Sequence, residues 1–110
     1  MQFKECYQNP FIEERADPYI TLGPDGFYYF TASYPVKSAD DKDGYDRVIL
    51  RRAKDISELA SAEEITIWKV ADTTLTHRFI WAPELHYIAG RWYVFYAGSE
   101  DKENNWAFEC

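Results

Sequence analysis

The chain has 110 residues, of which 46% are hydrophobic and 18% aromatic, so it can form one domain with an apolar core and is too hydrophobic to be disordered. Nineteen Asp and Glu against 12 Lys and Arg give a net charge of −7, which disfavours nucleic acid as a partner because acidic surfaces repel phosphate. No apolar run reaches the roughly 18 residues of a membrane span. Residues 1–9 lack the apolar segment of a signal peptide, and Cys6 and Cys110 are too few for a disulfide framework. We therefore expect a cytoplasmic protein that binds neither nucleic acid nor a membrane.

Alternating apolar and polar residues, rich in aromatic and β-branched side chains, predict four strands in the first part of the chain. These strands are 19–22, 27–32, 47–52 and 64–70. The segment Gly23-Pro24-Asp25-Gly26 lies between the first two, and its Asp-Gly pair is a hairpin signal. Asp55 and Glu58 have the spacing of a helix capping box and predict a short helical turn before the fourth strand.

The same pattern restarts near position 80. Strands are predicted at 84–89, 92–97 and 105–110, with a turn at Gly90-Arg91. Aligning the two hairpins places Glu84 opposite Asp17, and the aromatic strands of the two copies begin at Phe27 and Trp92. An internal repeat of about 65 residues, each copy with four antiparallel strands, is typical of propeller blades.

The predicted fold class is therefore all-β, built of β-propeller blades of four antiparallel strands. Blade one spans about 16–70, and a partial blade two spans about 80–110. Since a propeller closes with roughly four to eight blades, we expect these 110 residues to be the N-terminal part of a larger propeller. An isolated blade exposes both of its faces, so self-association of the fragment remains an alternative.

Two acidic motifs are predicted at the starts of the innermost strands, which converge at one mouth of a propeller channel. Asp17 precedes Pro18, and Glu84 follows Trp81-Ala82-Pro83. Paired carboxylates with aromatic platforms suit glycoside hydrolysis, so we expect Trp81, with Phe79 and His86, to rim a sugar-binding cavity. The alternative is that these acids only shape turns, because an acid followed by proline is a common turn dipeptide.

No metal or cofactor is predicted. His77 and His86 have no ligand partner at metal-binding spacing, and the acidic run 40–44 lacks the pattern of an EF-hand loop. We interpret that run as a solvated loop.

The motifs Ala16-Asp17-Pro18-Tyr19-Ile20 and Trp81-Ala82-Pro83-Glu84-Leu85-His86, each followed by an aromatic strand, resemble the first two blades of glycoside hydrolase family 43. The resemblance covers about 9–110. It implies a five-bladed β-propeller that hydrolyses α-L-arabinofuranosides or β-D-xylosides with inversion. Asp17 matches the general base of the family, and Glu84 matches a residue that lines the pocket and touches substrate.

The resemblance also implies a Glu general acid and an Asp that raises the pKa of this acid, both from later blades. We therefore expect a fragment that is inactive alone, from a parent enzyme acting on an arabinose- or xylose-containing oligosaccharide or polysaccharide. The Trp81–His86 motif favours an arabinofuranosidase over a xylosidase. The competing hypothesis is a propeller that binds sugar without cleaving it.

Overall fold

The computed structural model describes residues 10–35, 45–69, 78–99 and 108–109. Nearly all regular structure in these ranges is strand. The strands are β1 (Ala16–Leu22), β2 (Tyr28–Ser33), β3 (Arg47–Ala53), β4 (Ile65–Lys69), β5 (Arg78–Ile88), β6 (Arg91–Ser99) and β7 (Phe108–Glu109). No helix in the described residues is long and apolar enough to cross a membrane.

The strands form two antiparallel sheets, one with the order β1-β2-β3-β4 and one with the order β5-β6-β7. Each sheet begins with a hairpin. In the second hairpin, Ala89 and Gly90 both have positive φ, at 50° and 83°, which is the conformation of a type I′ turn. The predicted all-β fold is confirmed: the first sheet is a four-stranded blade, and the second has three strands of another.

The core of the first sheet lies beneath β2 and β3. It consists of buried Phe30, Ala32, Tyr34, Ile49, Ala53 and Leu59. The alternate residues of β2, Thr31 and Ser33, are also fully buried. Strand β2 is therefore covered on both faces, and the hydroxyl groups of Thr31 and Ser33 need hydrogen-bond partners within the protein.

The second sheet packs on the first through β5. The N–H groups of Ile80 and Ala82 donate to the Tyr45 carbonyl at 2.7 Å and to the Ser33 hydroxyl at 2.8 Å. Further along the interface, the rings of Tyr29 and Trp92 pack with centroids 4.8 Å apart. These hydrogen bonds and this aromatic contact thus fix the position of the second sheet against the first sheet.

The predicted helical turn is a 3-10 turn at Ile56–Glu58. The expected capping box is not formed, because Asp55 makes no side-chain cap hydrogen bond and its carbonyl accepts from the Glu58 N–H at 3.1 Å instead. The turn is held by Leu59, which is fully buried in the core of the first sheet.

Candidate functional site

Asp17 lies in a β-bulge near the start of β1. Ala16 pairs with Ser33 and Tyr19 pairs with Thr31, so two residues of β1 face one residue of β2. Asp17 has a φ of 49°, in the left-handed region that Asp enters more readily than most residues. The bulge leaves the Asp17 side chain exposed, with its Oδ2 accepting a hydrogen bond of 3.1 Å from Ser33 Oγ.

The same bulge occurs in the second hairpin. Trp81 pairs with Ala97 and Glu84 pairs with Phe95, which leaves Ala82 and Pro83 in the bulge, and Ala82 has a φ of 47°. Ala82 is therefore the structural equivalent of Asp17.

This equivalence corrects the alignment of Asp17 with Glu84. Placing Glu84 opposite Asp17 put the two copies out of register by two residues, because the feature that they share is the proline of the bulge. Pro83 corresponds to Pro18, so Glu84 corresponds to Tyr19.

One hydroxyl group joins the two bulges. Ser33 Oγ donates to Asp17 and accepts from the Ala82 N–H, and Ser33 is fully buried. The side chain of Ser33 therefore connects the carboxylate of Asp17 in the first sheet with the backbone of Ala82 in the second sheet.

Glu84 and His86 lie on one face of the second sheet, where they line a groove of about 480 Å³. Its lining is completed by Ala82, Ile88, Phe95, Tyr96 and Ala97. His86 Nε2 is 4.0 Å from Glu84 Oε2, and both side chains are well exposed. The imidazole packs against the rings of Tyr19 and Phe95, with centroids 5.7 Å and 5.3 Å apart.

Asp17 and Trp81 do not line this groove. Asp17 accepts a hydrogen bond from Ser33, which in turn accepts one from the N–H of Ala82, a residue that lines the groove. The Trp81 ring packs edge-on against Tyr45, with centroids 6.0 Å apart. The side chain of Phe79 lies outside the described residues, as do His77 and the acidic run 40–44. Within the described ranges, no group of three or more His, Cys, Asp or Glu could hold a metal ion.

A partly buried cluster of charges lies beside the start of β1. Glu64 accepts hydrogen bonds from Arg15 and Arg51, and the Arg15 side chain is 3% exposed. The guanidinium groups of Arg15 and Arg47 lie 4.2 Å and 4.1 Å from the centre of the Tyr34 ring. Since Arg15 is two residues before the bulge and Tyr34 directly follows Ser33, this cluster holds both strands at the site.

Burial raises the pKa of Glu64, but hydrogen bonds and charge from Arg15 and Arg51 outweigh burial, so its pKa lies below its ordinary value of 4.5. This cluster was not predicted from the sequence. Arg15 and Glu64 are 49 residues apart, and no local pattern relates them.

The sequence matches glycosyl hydrolases family 43 over residues 7–110, and the chain belongs to this family. It is 43% identical over 97 residues to an extracellular exo-alpha-(1->5)-L-arabinofuranosidase of Streptomyces avermitilis, covering 88% of this chain and 18% of that protein. An enzyme of the same name from Streptomyces chartreusis is 44% identical over 93 residues, covering 84% of this chain and 26% of that protein. A crystal structure of alpha-L-arabinofuranosidase from Lactobacillus brevis superposes with a TM-score of 0.73 at 45% identity, covering 88% of this chain and 28% of that chain.

The chain thus spans about a fifth to a quarter of the lengths of these relatives. The prediction of a cytoplasmic location is wrong, because both Streptomyces relatives are extracellular by name. Few cysteines do not exclude an oxidising compartment, since a fold with an apolar core does not depend on disulfides. The polar character of residues 1–9 likewise failed to predict the location correctly.

Proposed function

We propose that this chain supplies the first blade and most of the second blade of a secreted, inverting α-L-arabinofuranosidase, with Asp17 as its general base. Membership of family 43 and the names of the relatives support an enzyme that cleaves arabinofuranosyl groups from an arabinose-containing oligosaccharide or polysaccharide. A β-xylosidase is the less favoured form of the same proposal, because none of these relatives is named as one.

The observation that carries the role of Asp17 is the geometry of its bulge. The bulge leaves the Asp17 carboxylate exposed and hydrogen-bonded to buried Ser33, whereas Ala82, in the equivalent bulge with nearly the same φ, has no side-chain group that can accept a proton. Among the described side chains, Ser33 is the hydrogen-bond partner of Asp17, through Oδ2. Because the bond from Ser33 is to Oδ2, we assign Oδ1 as the atom that takes a proton from a water molecule.

In the proposed reaction, Asp17 deprotonates the water that attacks the anomeric carbon. The leaving oxygen takes its proton from an acid on the opposite side of the sugar, in a part of the propeller outside these residues. An inverting pair keeps its carboxyl groups roughly 6.5–9.5 Å apart, so that the water fits between base and sugar. Glu84 and His86 are proposed to contact the sugar from the groove on the second sheet.

The test uses a chimeric enzyme in which this chain replaces the matching part of the Lactobacillus brevis arabinofuranosidase. We expect hydrolysis of p-nitrophenyl α-L-arabinofuranoside to exceed hydrolysis of the β-D-xyloside, and NMR of the first-formed sugar to show inversion. Asp17→Asn should lower kcat by about 10²–10⁴-fold, the usual contribution of a general base.

Asp25→Asn is the matched control, because Asp25 is an exposed acid in the turn that follows the same strand. It should keep the activity of the chimera. A folded chimera that cleaves neither substrate, or in which the two Asp→Asn variants are equally active, would contradict the proposal. The 110-residue chain alone should release no p-nitrophenol, because we propose that the acid lies outside these residues.

A further inference from the structure

We propose that Ser33 is a positioning residue for Asp17, and that it makes the orientation of the base depend on the docking of the second blade. This inference rests on the proposed function, in which Asp17 is the base. It concerns the chain of contacts that runs from Asp17 Oδ2 through Ser33 Oγ to the Ala82 N–H.

The direction of the two hydrogen bonds follows from the groups involved. A backbone N–H can only donate, so the Ala82 N–H occupies a lone pair of Ser33 Oγ at 2.8 Å. A serine hydroxyl has one proton, and that proton is then free to be donated to the Asp17 carboxylate at 3.1 Å. The second blade thus sets the hydroxyl so that it donates to the base.

Ser33 is fully buried whereas Asp17 is exposed. An exposed aspartate side chain loses rotamer freedom only where a contact holds it, and the hydrogen bond of 3.1 Å from Ser33 is such a contact for Asp17. Because Ser33 is anchored in β2 and bonded to β5, it can hold Asp17 without touching solvent or substrate.

The backbone geometry adds to this dependence. Asp17 and Ala82 occupy equivalent bulges with φ of 49° and 47°, and Ser33 lies between them. If the second blade shifts, the Ala82 N–H leaves Ser33, and the Ser33 hydroxyl loses one of the two contacts that set its orientation toward Asp17. The blade that carries Glu84 and His86 in its groove therefore also controls the base.

Thr31 provides the matched control. It is two residues before Ser33 on β2, is equally buried, and donates its hydroxyl proton to the Ile49 carbonyl at 2.7 Å. Thr31→Val removes a buried hydroxyl that does not touch Asp17, whereas Ser33→Ala removes the hydroxyl that does. Both variants lose a buried hydrogen bond, so a merely structural role predicts similar kinetics for the two.

The kinetics are measured in the chimera at a temperature where both variants are folded. Ser33→Ala should lower kcat by about 10–100-fold, as expected when a catalytic group loses the contact that orients it, with KM nearly unchanged. Thr31→Val should keep kcat within about threefold. In the Asp17→Asn background, Ser33→Ala should cause no further loss, because the group that it positions is already disabled.

Equal kcat values for Ser33→Ala and Thr31→Val, or full additivity with Asp17→Asn, would overturn the inference while leaving Asp17 as the base. Loss of the role of Asp17 itself would instead appear as an active Asp17→Asn single variant, so the two failures are distinct.

A spectroscopic measurement on the 110-residue chain tests the same contact without turnover. With ¹³C-labelled aspartate, Ser33→Ala should shift the Cγ resonance of Asp17, whereas Thr31→Val should not. An unchanged Asp17 resonance in Ser33→Ala would refute the hydrogen bond on which the inference depends.

Discussion

Replacing Glu64 by Gln tests whether the partly buried charge cluster holds the start of β1. Glu64 bonds both Arg15 and Arg51, and the side chains of Glu64 and Arg15 are 17% and 3% exposed. Removing one member of a fully buried ion pair costs about 3–5 kcal/mol, and the partial exposure of Glu64 and Arg51 makes the cost here smaller. Gln keeps one acceptor, and Arg51 also donates to the carbonyls of Leu59 and Ala60. We therefore expect a loss of about 2–3 kcal/mol in the free energy of unfolding.

The assay is urea unfolding of the 110-residue chain at pH 7, followed by tryptophan fluorescence. Asp25→Asn is the control, since Asp25 pairs with Arg52 and both side chains are more than a third exposed. The pKa of Asp25 is lowered to about 2, mainly by a hydrogen bond from Tyr29. The Asp25–Arg52 pair nevertheless adds little stability, because both side chains are exposed and their charges are screened by water and salt. The control should leave the midpoint close to that of the wild type. Equal midpoints for Glu64→Gln and wild type would refute the bracing role of the cluster.

The pH dependence of this effect has a definite sign. The pKa of Glu64 is lowered in the folded chain, so its stabilisation is fully present above its ordinary pKa of 4.5 and is lost as the pH falls through the folded value. The difference in unfolding free energy between wild type and Glu64→Gln should therefore shrink below pH 4.5. A difference that stays constant between pH 7 and pH 3 would contradict the assignment of the effect to ionised Glu64.

Two further substitutions test the hairpins. Gly23→Ala should destabilise the chain by about 1–3 kcal/mol. The added Cβ would lie 2.6 Å from Tyr29 Cε2 and 3.1 Å from Trp92 Cζ2, in the contact between the sheets. An unchanged urea midpoint would refute this close approach. Ala89→Asn should stabilise the chain by about 0.5–1 kcal/mol, since Asn-Gly is the preferred pair of a type I′ turn and Ala89 has a φ of 50°; a lower melting temperature would show that the turn is not of this type.

The strands were predictable because their information is local. Alternation and aromatic content located the centres of β2, β3 and β6, and the Asp-Gly signal located the first hairpin. The starts of β1 and β5 were placed too late, at 19 and 84 instead of Ala16 and Arg78. In both strands a bulge with a proline interrupts the period-two pattern on which the prediction depended.

The candidate site was predictable only where a motif marks it. Asp17 was a candidate because it stands before a proline in a family motif, but its partner Ser33 has no local signal. The bond between them depends on the pairing of β1 with β2, and the second bond of Ser33 depends on the packing of another sheet. Such contacts arise from tertiary structure and leave no periodic trace in the sequence.

Azide rescue tests the central proposal, that Asp17 is a general base, most directly. Asp17→Gly is suited to this test because a φ of 49° is unstrained for glycine, so the bulge should be retained. In the chimera this variant should lose about 10²–10⁴-fold in kcat. Sodium azide needs no deprotonation to attack, so it should restore turnover and give the β-L-arabinofuranosyl azide, with inverted configuration. No rescue by azide, or an azide product of retained configuration, would contradict the role of Asp17 as the base of an inverting enzyme.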